Sequence, residues 1–529
     1  MNILFSNGKV LTQSPQKPFA NSVFVEGNKI KFVGKLSNFK ANLPKYYEEI
    51  NLDGKILLPG FIDTHTHFVS YASSKIRADL SGCTSISEME KRLLEYKKKH
   101  VGKMEWISGK GWEKNLLKLE NGFDRYFLDE IFPDTPVSLS SKDLHSFLCN
   151  SVALEKMGIT SKTKLPEGSS IGYFANGELN GFLYERAWLL ISDAQPSLQT
   201  ELKERLVKEA IWESHKFGLT GLHSIEDEGA YNLFKSLREK NELNMRVCWH
   251  FPLEMFDEMI ARGVKSYTGD DWLTIGGLKI FMDGSIGSRS AFMYHPYKGE
   301  PDNYGFLVRS EDEFYNLLVK AGKNGISVLT HSIGDRCNSI VINGIERAQK
   351  HPDLEDKDLF YRIEHLQCVL PEDVKRVAKH NIYSALQPIH IRMDAKFNDQ
   401  NLSEHGKDCY PFRSLIDSGA VFGFGSDVPV ESHNPFLGIY AAIERKSRNE
   451  PSNPSWIPEQ KITTEEAIRA YTIWAAKASR QEDKFGSIVP GKFADLIVID
   501  DYTEHDSTFW LQAKSYLTLV DGEIVYSRL

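Results

Sequence analysis

Residues 56–67 read ILLPGFIDTHTH, an apolar run that leads directly into two histidines. We predict a buried strand over residues 56–62, with His65 and His67 just beyond its end. Residues two apart on an extended chain point to the same side, so both imidazoles can bind one metal ion. Chance H-x-H pairs are expected among 16 histidines, so this interpretation needs support from other parts of the chain.

Further short apolar runs alternate with segments in which Glu, Lys, Leu and Ala recur at helical spacing. This alternation indicates successive β–α units. The candidate strands after the first are residues 221–224, 245–250, 275–281, 327–330, 361–364, 382–386 and 421–425. Eight parallel strands are typical of a (β/α)8 TIM barrel, so the predicted fold class is α/β with such a barrel.

Both chain ends show short apolar runs separated by turn dipeptides such as Asn7-Gly8 and Asp521-Gly522. We expect residues 1–58 and 486–529 to build one small composite β-sandwich. A long interval separates the first candidate strand from the second, which predicts an inserted α+β subdomain over residues 70–204. Residues 59–69 and 205–485 remain for the barrel, which we expect to be the metal-dependent part.

Composition excludes several classes of function. The chain has 529 residues, of which 41% are hydrophobic and 26% charged, as in ordinary globular proteins. Its formal net charge of −8 disfavours a nucleic-acid partner, which would need a basic surface. No apolar run approaches the roughly 18 residues of a membrane helix, so no membrane partner is expected. The first residues do not resemble a signal peptide, and a cytoplasmic location is expected.

The cysteines are widely scattered and form no C-x-x-C pair. They are Cys83, Cys149, Cys248, Cys337, Cys368 and Cys409. In a chain of this length that pattern predicts buried thiols in a reducing compartment rather than a disulfide framework or a zinc knuckle.

Metal-ligand residue types recur at the ends of other candidate strands. Lys279 lies in the fourth strand, His331 ends the fifth, His365 ends the sixth and Asp427 follows the eighth. Each of them alone could be an ordinary core histidine, a helix N-cap or a surface lysine. Five strands that place such residues at their carboxyl ends, where barrel enzymes build their active sites, predict one common site.

Lys279 has a specific chemical interpretation within this site. Central barrel strands have no free edge, so we expect its side chain to be buried, and burial lowers the pKa of an amine. A neutral amine can take up carbon dioxide to form a carbamate, whose two oxygens suit the bridging of two divalent cations.

Several longer motifs add a family resemblance. They are KIFMDGS at 279–285, GSR at 287–289, HSIGDR at 331–336, RIEH at 362–365, GSDVPV at 425–430 and PGKFADL at 490–496. The sequence resembles the metal-dependent amidohydrolase superfamily, and within it the branch of N-substituted formamide deformylases (amidohydrolase family 3). The resemblance implies that His65, His67, Lys279, His331, His365 and Asp427 are the metal ligands, and that a homodimer is possible.

The predicted function is metal-dependent hydrolysis of a non-peptide C–N (amide) bond of a small molecule. Two divalent metal ions are expected, with zinc favoured and iron or manganese compatible. A metal-bridging hydroxide would attack the carbonyl, and Asp427 would act as general base and then as general acid.

Three residues are candidates for substrate contacts: His145, Arg289 and Trp112. His145 is equally compatible with a structural role, and an aromatic residue in a folded insert, such as Trp112, more often belongs to its core.

Other functions stay open on the same scaffold, namely a cyclic-amide hydrolase, a deaminase or a catalytically silent regulatory homologue. Many deaminases lack the bridging lysine and have H-x-x-E after the fifth strand, whereas this chain has Lys279 and HSIG at 331–334. A silent regulator would be marked by lost ligands.

Overall fold

A computed structural model describes residues 2–100, 104–113, 117, 123–141, 146–165, 169–196, 198–355, 357–402, 404–503 and 505–529. The chain forms two compact units. Met1–Ala72 and Glu204–Leu529 make up the first unit, and Ser73–Lys203 make up the second.

The described part of the first unit contains eight parallel strands that pair in chain order. They are β1 Phe61–Thr66, β2 Leu219–Ile225, β3 Arg246–Pro252, β4 Leu273–Phe281, β5 Val328–Ser332, β6 Tyr361–His365, β7 Tyr383–Leu386 and β8 Phe422–Phe424. The segment after β8 returns to β1, because the Asp427 N–H donates to the His65 carbonyl at 2.8 Å and the His67 N–H to the Val428 carbonyl at 2.8 Å. The prediction of a TIM barrel is confirmed. A short strand, Thr268–Gly269, pairs antiparallel with β4.

The prediction of one strand over residues 56–62 is wrong. Ile56–Pro59 pairs with Lys9–Leu11 and Leu496–Ile499 in a sandwich sheet, and β1 begins at Phe61. The change of sheet falls at Gly60, whose N–H donates to the Asp495 carbonyl at 2.9 Å. A Cβ at Gly60 would lie 2.2 Å from the Thr220 hydroxyl oxygen, so the close approach of the two sheets requires glycine.

Helices follow the barrel strands and surround the sheet. Those after β2 to β8 are Glu228–Glu239, Phe256–Ala261, Glu311–Lys323, Asp335–Gln349, Pro371–Lys379, Phe412–Ser418 and Thr464–Tyr471. Phe68–Ser74 and Thr200–Lys216 cross the boundary between the two units, and the first unit also has the helices Ile391–Asn401, Pro435–Glu444 and Ile473–Lys477. Reciprocal side-chain caps start two of the helices, from Ser310 with Glu313 and from Thr463 with Glu466. Within the described residues, no helix has the length and apolar character needed to cross a membrane.

Short 3-10 helices connect several of these elements. In the described residues they are Leu36–Asn38, Lys40–Asn42, Glu185–Ala187, Leu253–Met255, Pro388–His390, Glu404–Asp408, Pro458–Gln460 and Ser507–Leu511.

The chain ends form two further sheets. One sheet has the strands Asn2–Ser6, Ser22–Glu26, Lys29–Gly34 and Glu48–Asn51. The other has Lys9–Leu11, Phe19–Ala20, Ile56–Pro59, Leu496–Ile499, Leu517–Val520 and Glu523–Ser527. Phe5, Val23, Leu57, Val498 and Leu519 share one hydrophobic core, so both chain ends contribute to it. The sandwich and the barrel lie in one compact unit, so the division into two units does not test the predicted boundary between them. The boundaries of the three predicted parts stay a prediction.

The second unit has its own mixed sheet. Its strands, in spatial order, are Ser170–Tyr173, Leu179–Tyr184, Ser146–Cys149, Val137–Ser141, Ile107–Trp112 and Ala78–Asp79. Its helices are Ile86–His100, Arg125–Ile131, Ser151–Lys156 and Trp188–Ala194.

The cysteines correct another expectation. Cys368 and Cys409 form a disulfide, whereas Cys83, Cys149, Cys248 and Cys337 are buried free thiols. The prediction that all six are thiols is therefore wrong for this pair. Two short segments that are distant in sequence meet there, since the Tyr410 N–H donates to the Gln367 carbonyl and the Val369 N–H to the Asp408 carbonyl.

Candidate metal centre

The barrel brings the six predicted ligands to the carboxyl ends of its strands. His65 lies in β1 with His67 just after it, and Lys279 lies near the end of β4. His331 lies in β5, His365 ends β6, and Asp427 follows β8. All are buried except His67 and His331, which keep some exposure. Their role as metal ligands stays a prediction.

Short distances connect these side chains. The Nε2 atoms of His67 and His65 lie 3.1 and 3.5 Å from Oδ1 of Asp427. The ring centroids of His65 and His365 are 4.9 Å apart, and those of His331 and His365 are 4.5 Å apart. One ligand atom each from His65, His365 and Asp427 lies within 4.8 Å of the others. The geometry is therefore compact enough for a shared ion.

Hydrogen bonds orient the two imidazoles of the H-x-H motif. Nδ1 of His65 lies 2.6 Å from Oε2 of Glu364, and Nδ1 of His67 lies 2.8 Å from the Ile225 carbonyl oxygen. Because both partners are acceptors, each Nδ1 carries the proton and donates it. Each Nε2 is thereby left with a lone pair for a metal ion.

The other two imidazoles are oriented in opposite ways. Nδ1 of His365 lies 2.9 Å from Oε1 of Gln387, which leaves Nε2 as the basic nitrogen if the amide oxygen accepts. In His331 the Nε2 atom lies 3.1 Å from the Gly284 carbonyl oxygen, so Nδ1 is the basic nitrogen there. In the neutral form, each of the four imidazoles thus has one basic nitrogen that can bind a metal ion, and this donor set fits a zinc-type ion.

Burial favours the neutral form of most of these imidazoles. It lowers the pKa of His65 to about 4 and that of His331 to about 3, and it holds the pKa of His365 well below its usual value. Burial also opposes protonation of His67, but its hydrogen bond to Asp427 raises that pKa overall. Neutral imidazole is the form that binds metals, so the environment of His65, His331 and His365 suits that role.

The charged groups of the site have shifted pKa values as well. Burial lowers the pKa of Lys279 to about 8, although Glu364 and Asp427 act in the opposite direction. Burial disfavours the charged form of Asp427, but the neighbouring imidazoles of His65 and His67 hold its pKa well below the usual range. With Lys279 only 2% exposed, a substantial neutral fraction of its amine is available at mildly alkaline pH.

The backbone is unusual at two of the candidate ligands. His365 has φ of 74° and Asp427 has φ of 58°, both in the left-handed region. Leu366, next to His365, also has a positive φ of 39°. Such conformations are unfavourable for residues other than glycine and concentrate at functional sites.

The sequence did not assign the groups that support the ligands. Glu364 and Gln387 accept from imidazoles, and Asp63 accepts from the backbone N–H groups of His65 at 3.1 Å and Ser426 at 3.0 Å. For Glu364 a signal existed, since it lies in the RIEH motif immediately before a ligand. The Ile225 and Gly284 carbonyl groups offered none, because any residue type supplies a carbonyl.

The three predicted substrate contacts have different outcomes. Trp112 is 1% exposed in the core of the second unit, and its indole N–H donates to the Leu139 carbonyl at 3.0 Å. It therefore lies in the core of that unit, and its role as a substrate contact stays a prediction. Arg289 forms an ion pair with Glu300 and donates to Asn401 at 3.0 Å, so its role stays a prediction. His145 lies outside the described residues.

Known proteins resemble this chain over nearly its whole length. The model of the amidohydrolase family matches residues 48–526. The Arabidopsis thaliana protein LONG AFTER FAR-RED 3 is 30% identical over 543 residues, which cover 99% of this chain and 91% of that protein. N-substituted formamide deformylase of Arthrobacter pascens is 26% identical over 549 residues, which cover 100% of this chain and 98% of that enzyme. An uncharacterized metal-dependent hydrolase from Pyrococcus horikoshii OT3 matches with a TM-score of 0.79 and 25% identity, over 95% of this chain and 98% of that chain.

Proposed function

Because the chain belongs to the amidohydrolase family, and is therefore a metal-dependent hydrolase of carbon–nitrogen bonds, we propose that it cleaves a non-peptide amide bond of a small molecule. The observation that carries this proposal is the cluster formed by four imidazoles, each with one basic nitrogen in its neutral form, and the Asp427 carboxylate. Lys279 completes the set as a buried amine. This arrangement lies at the end of the barrel where enzymes of this fold perform catalysis.

Two divalent metal ions are the proposed cofactor, with zinc favoured by the imidazole and carboxylate donors. His65, His67, His331, His365, Asp427 and a modified Lys279 would hold them. When bound, such ions lower the pKa of a coordinated water toward neutrality and polarise a carbonyl group, as amide hydrolysis requires.

Asp427 is the proposed general base and general acid. The neighbouring imidazoles of His65 and His67 favour its ionised form, and a carboxylate in that form can accept a proton from the attacking water. It can then donate that proton to the leaving nitrogen as the carbon–nitrogen bond breaks. The left-handed backbone at Asp427 and the hydrogen bond from its N–H to the His65 carbonyl fix the position of Asp427 beside the imidazoles.

Lys279 is the proposed site of carbamate formation. Its neutral amine would attack carbon dioxide, which forms a nitrogen–carbon bond and converts one C=O bond into an oxyanion. The nitrogen then releases one proton to solvent, so the product is an anionic carbamate. The low exposure of Lys279 supports this proposal, because burial favours the reactive neutral amine.

An activity screen combined with metal analysis tests the proposal. The protein, reconstituted with zinc, iron or manganese, would be assayed against N-formyl amines, N-acetyl amines and cyclic amides. We expect about two metal ions per chain and hydrolysis of at least one of the acyclic amide classes.

Other results would contradict the proposal. Ammonia release from an aromatic base without amide cleavage would favour a deaminase, and ring opening of cyclic amides alone would favour a cyclic-amide hydrolase. A protein that binds no divalent metal and is inactive in every assay would favour a regulatory role. The cytoplasmic location and a homodimer stay predictions.

A further inference from the structure

The barrel interior contains a completely buried ion pair next to the candidate metal centre. Arg362 and Glu364, two residues apart on β6, are both 0% exposed. Nε of Arg362 donates to Oε1 of Glu364 at 2.9 Å, and Nη2 donates to Oε2 at 3.2 Å. The guanidinium therefore contacts both carboxylate oxygens, which fixes the plane of the carboxylate.

This carboxylate also contacts a candidate ligand. Oε2 of Glu364 accepts the Nδ1 proton of His65 at 2.6 Å. Arg362 is itself anchored on two other strands, because Nη2 donates to the Thr64 carbonyl at 2.9 Å and Nη1 to Nδ1 of His223 at 2.9 Å. A continuous series of hydrogen bonds thus connects β2, β6 and β1 to one imidazole.

We propose that Arg362 and Glu364 are positioning residues that hold His65 in the tautomer and orientation in which its Nε2 binds metal. This inference rests on the proposed function, because it concerns the affinity of the same metal centre. Carboxylate partners of ligating histidines commonly change metal affinity by about 10- to 100-fold. Arg362 acts through Glu364 and has no contact with reacting atoms in the proposal.

Stability alone is a poor reason for such a pair. Burying two charges costs solvation energy that their attraction only partly returns, and well-packed apolar residues often replace buried pairs without loss of stability. Bulky apolar side chains dominate the barrel interior in proteins of this fold, so a buried ion pair there needs a specific explanation. Its direct contact with His65 offers a functional reason.

A neighbouring cluster of possible metal ligands is better explained as support for Arg362 than as a separate metal site. His223, Cys248 and His250 are buried, with ligand atoms within 4.8 Å of one another. However, Nδ1 of His223 accepts from the cationic Arg362 and lies 3.0 Å from Nε2 of His250. A metal ion at that nitrogen would meet the guanidinium at close range. We assign His223 and His250 to the support of Arg362.

The main test compares two double variants. Arg362→Met/Glu364→Leu removes the pair, and Arg246→Met/Asp495→Leu removes a matched buried pair whose residues are 4% and 5% exposed. For each variant, the metal dissociation constant would be measured by chelator competition and the melting temperature would be measured without metal. We expect the first variant to bind metal about 10- to 100-fold more weakly than the wild type. The second variant should keep the wild-type metal affinity even if its melting temperature falls.

Wild-type affinity in folded Arg362→Met/Glu364→Leu would overturn the proposal, and so would an equal loss in the control pair. If the double variant does not fold, Arg362→Lys keeps the charge but lacks the planar guanidinium that fixes the plane of the carboxylate, and about a tenfold loss of metal affinity is expected. If the wild type binds a third metal ion per chain and Cys248→Ser does not, the assignment of His223 as a support for Arg362 is wrong.

Proton NMR of the metal-free wild type provides a test that needs no variant. A buried imidazole N–H that donates to a carboxylate at 2.6 Å should give a strongly downfield, slowly exchanging resonance. Absence of that resonance would contradict the proposed tautomer. A wild type that shows the resonance but binds no metal would contradict the proposed function and leave the hydrogen-bonded positioning intact.

Discussion

Nε2 of His67 lies 3.1 Å from Oδ1 of Asp427, and this contact joins the residue after the first barrel strand to the turn after the eighth. The two backbone hydrogen bonds between the same segments run in opposite directions, from His67 to Val428 and from Asp427 to His65. Closure of the barrel and assembly of the candidate metal centre therefore depend on the same contacts. We expect some substitutions in the site to weaken metal binding and others to slow proton transfer.

Asp427→Asn should separate proton transfer from metal binding. The amide keeps one oxygen ligand and nearly the same volume, but it cannot accept the proton of the attacking water. We expect most of the metal to remain while kcat falls by about a hundredfold to ten-thousandfold. Metal content and kcat would be measured on the same preparation.

A control for Asp427→Asn is Asp394→Asn, because the Asp394 carboxylate is held by Tyr410 and Gln367 instead. That variant should keep kcat close to wild type. Retention of more than about a tenth of the activity in Asp427→Asn would contradict the proposed base.

Lys279→Ala should lose bound metal, because the proposed carbamate cannot form without the amine. Added formate or acetate can occupy the space left by the side chain and supply two oxygens, so partial recovery of metal and activity is expected. Metal content would be measured with and without these anions, and bicarbonate should speed metal uptake only in the wild type.

Lys279→Met is the matched control, since its side chain removes the amine but fills the space. It should lose metal as Lys279→Ala does, without recovery by added carboxylates. Full metal content and full turnover in either variant would rule out the carbamate.

The disulfide between Cys368 and Cys409 should stabilise the first unit. It joins residues 41 apart in sequence, and closing a loop of that length in the unfolded chain corresponds to about 4 kcal/mol. Reduction, or the variant Cys368→Ser/Cys409→Ser, should lower the midpoint of urea unfolding. Reductant should not change the unfolding midpoint of the double variant. If reductant shifts the midpoints of the wild type and the double variant equally, the disulfide contributes nothing to stability.

His215 should make stability depend on pH. Burial lowers the pKa of this histidine to about 4, and its Nδ1–H donates to the Leu219 carbonyl at 2.9 Å. The unfolded chain, with a histidine pKa near 6.5, binds more protons than the folded chain between about pH 6.5 and 4. The contribution of neutral His215 to the free energy of unfolding is therefore fully present above about pH 6.5. It is lost as the pH falls through this window, by about 2 kcal/mol at pH 5.

Urea unfolding at pH 7.5 and at pH 5 would measure the effect of His215. His215→Gln keeps a donor but does not titrate, so its loss of stability between these pH values should be smaller than that of the wild type by about 2 kcal/mol. Identical pH dependence in both proteins would refute the assignment.

The sequence was sufficient for the barrel and for the place of the candidate ligands at one end of it, because each candidate lies at or near the end of a recognisable strand. It was insufficient wherever the partner is distant in the chain or is a backbone group. Nothing local links Gln387 to His365, or Cys368 to Cys409. The run at residues 56–62 failed for another reason: hydrophobicity shows that residues are buried, but not in which sheet.

Gly60, where the chain passes from one sheet to the other, gives a direct test of that change. An added Cβ would lie 2.2 Å from Oγ1 and 2.7 Å from Cβ of Thr220, so one of the strands must move. We expect Gly60→Ala to lower the free energy of unfolding by about 1–3 kcal/mol. Thr220→Gly removes the three atoms nearest to the added Cβ, so the double variant should be more stable than the sum of the two single effects predicts. A double-mutant cycle measured by urea unfolding should show a favourable coupling of at least about 0.5 kcal/mol, and strict additivity would contradict the contact.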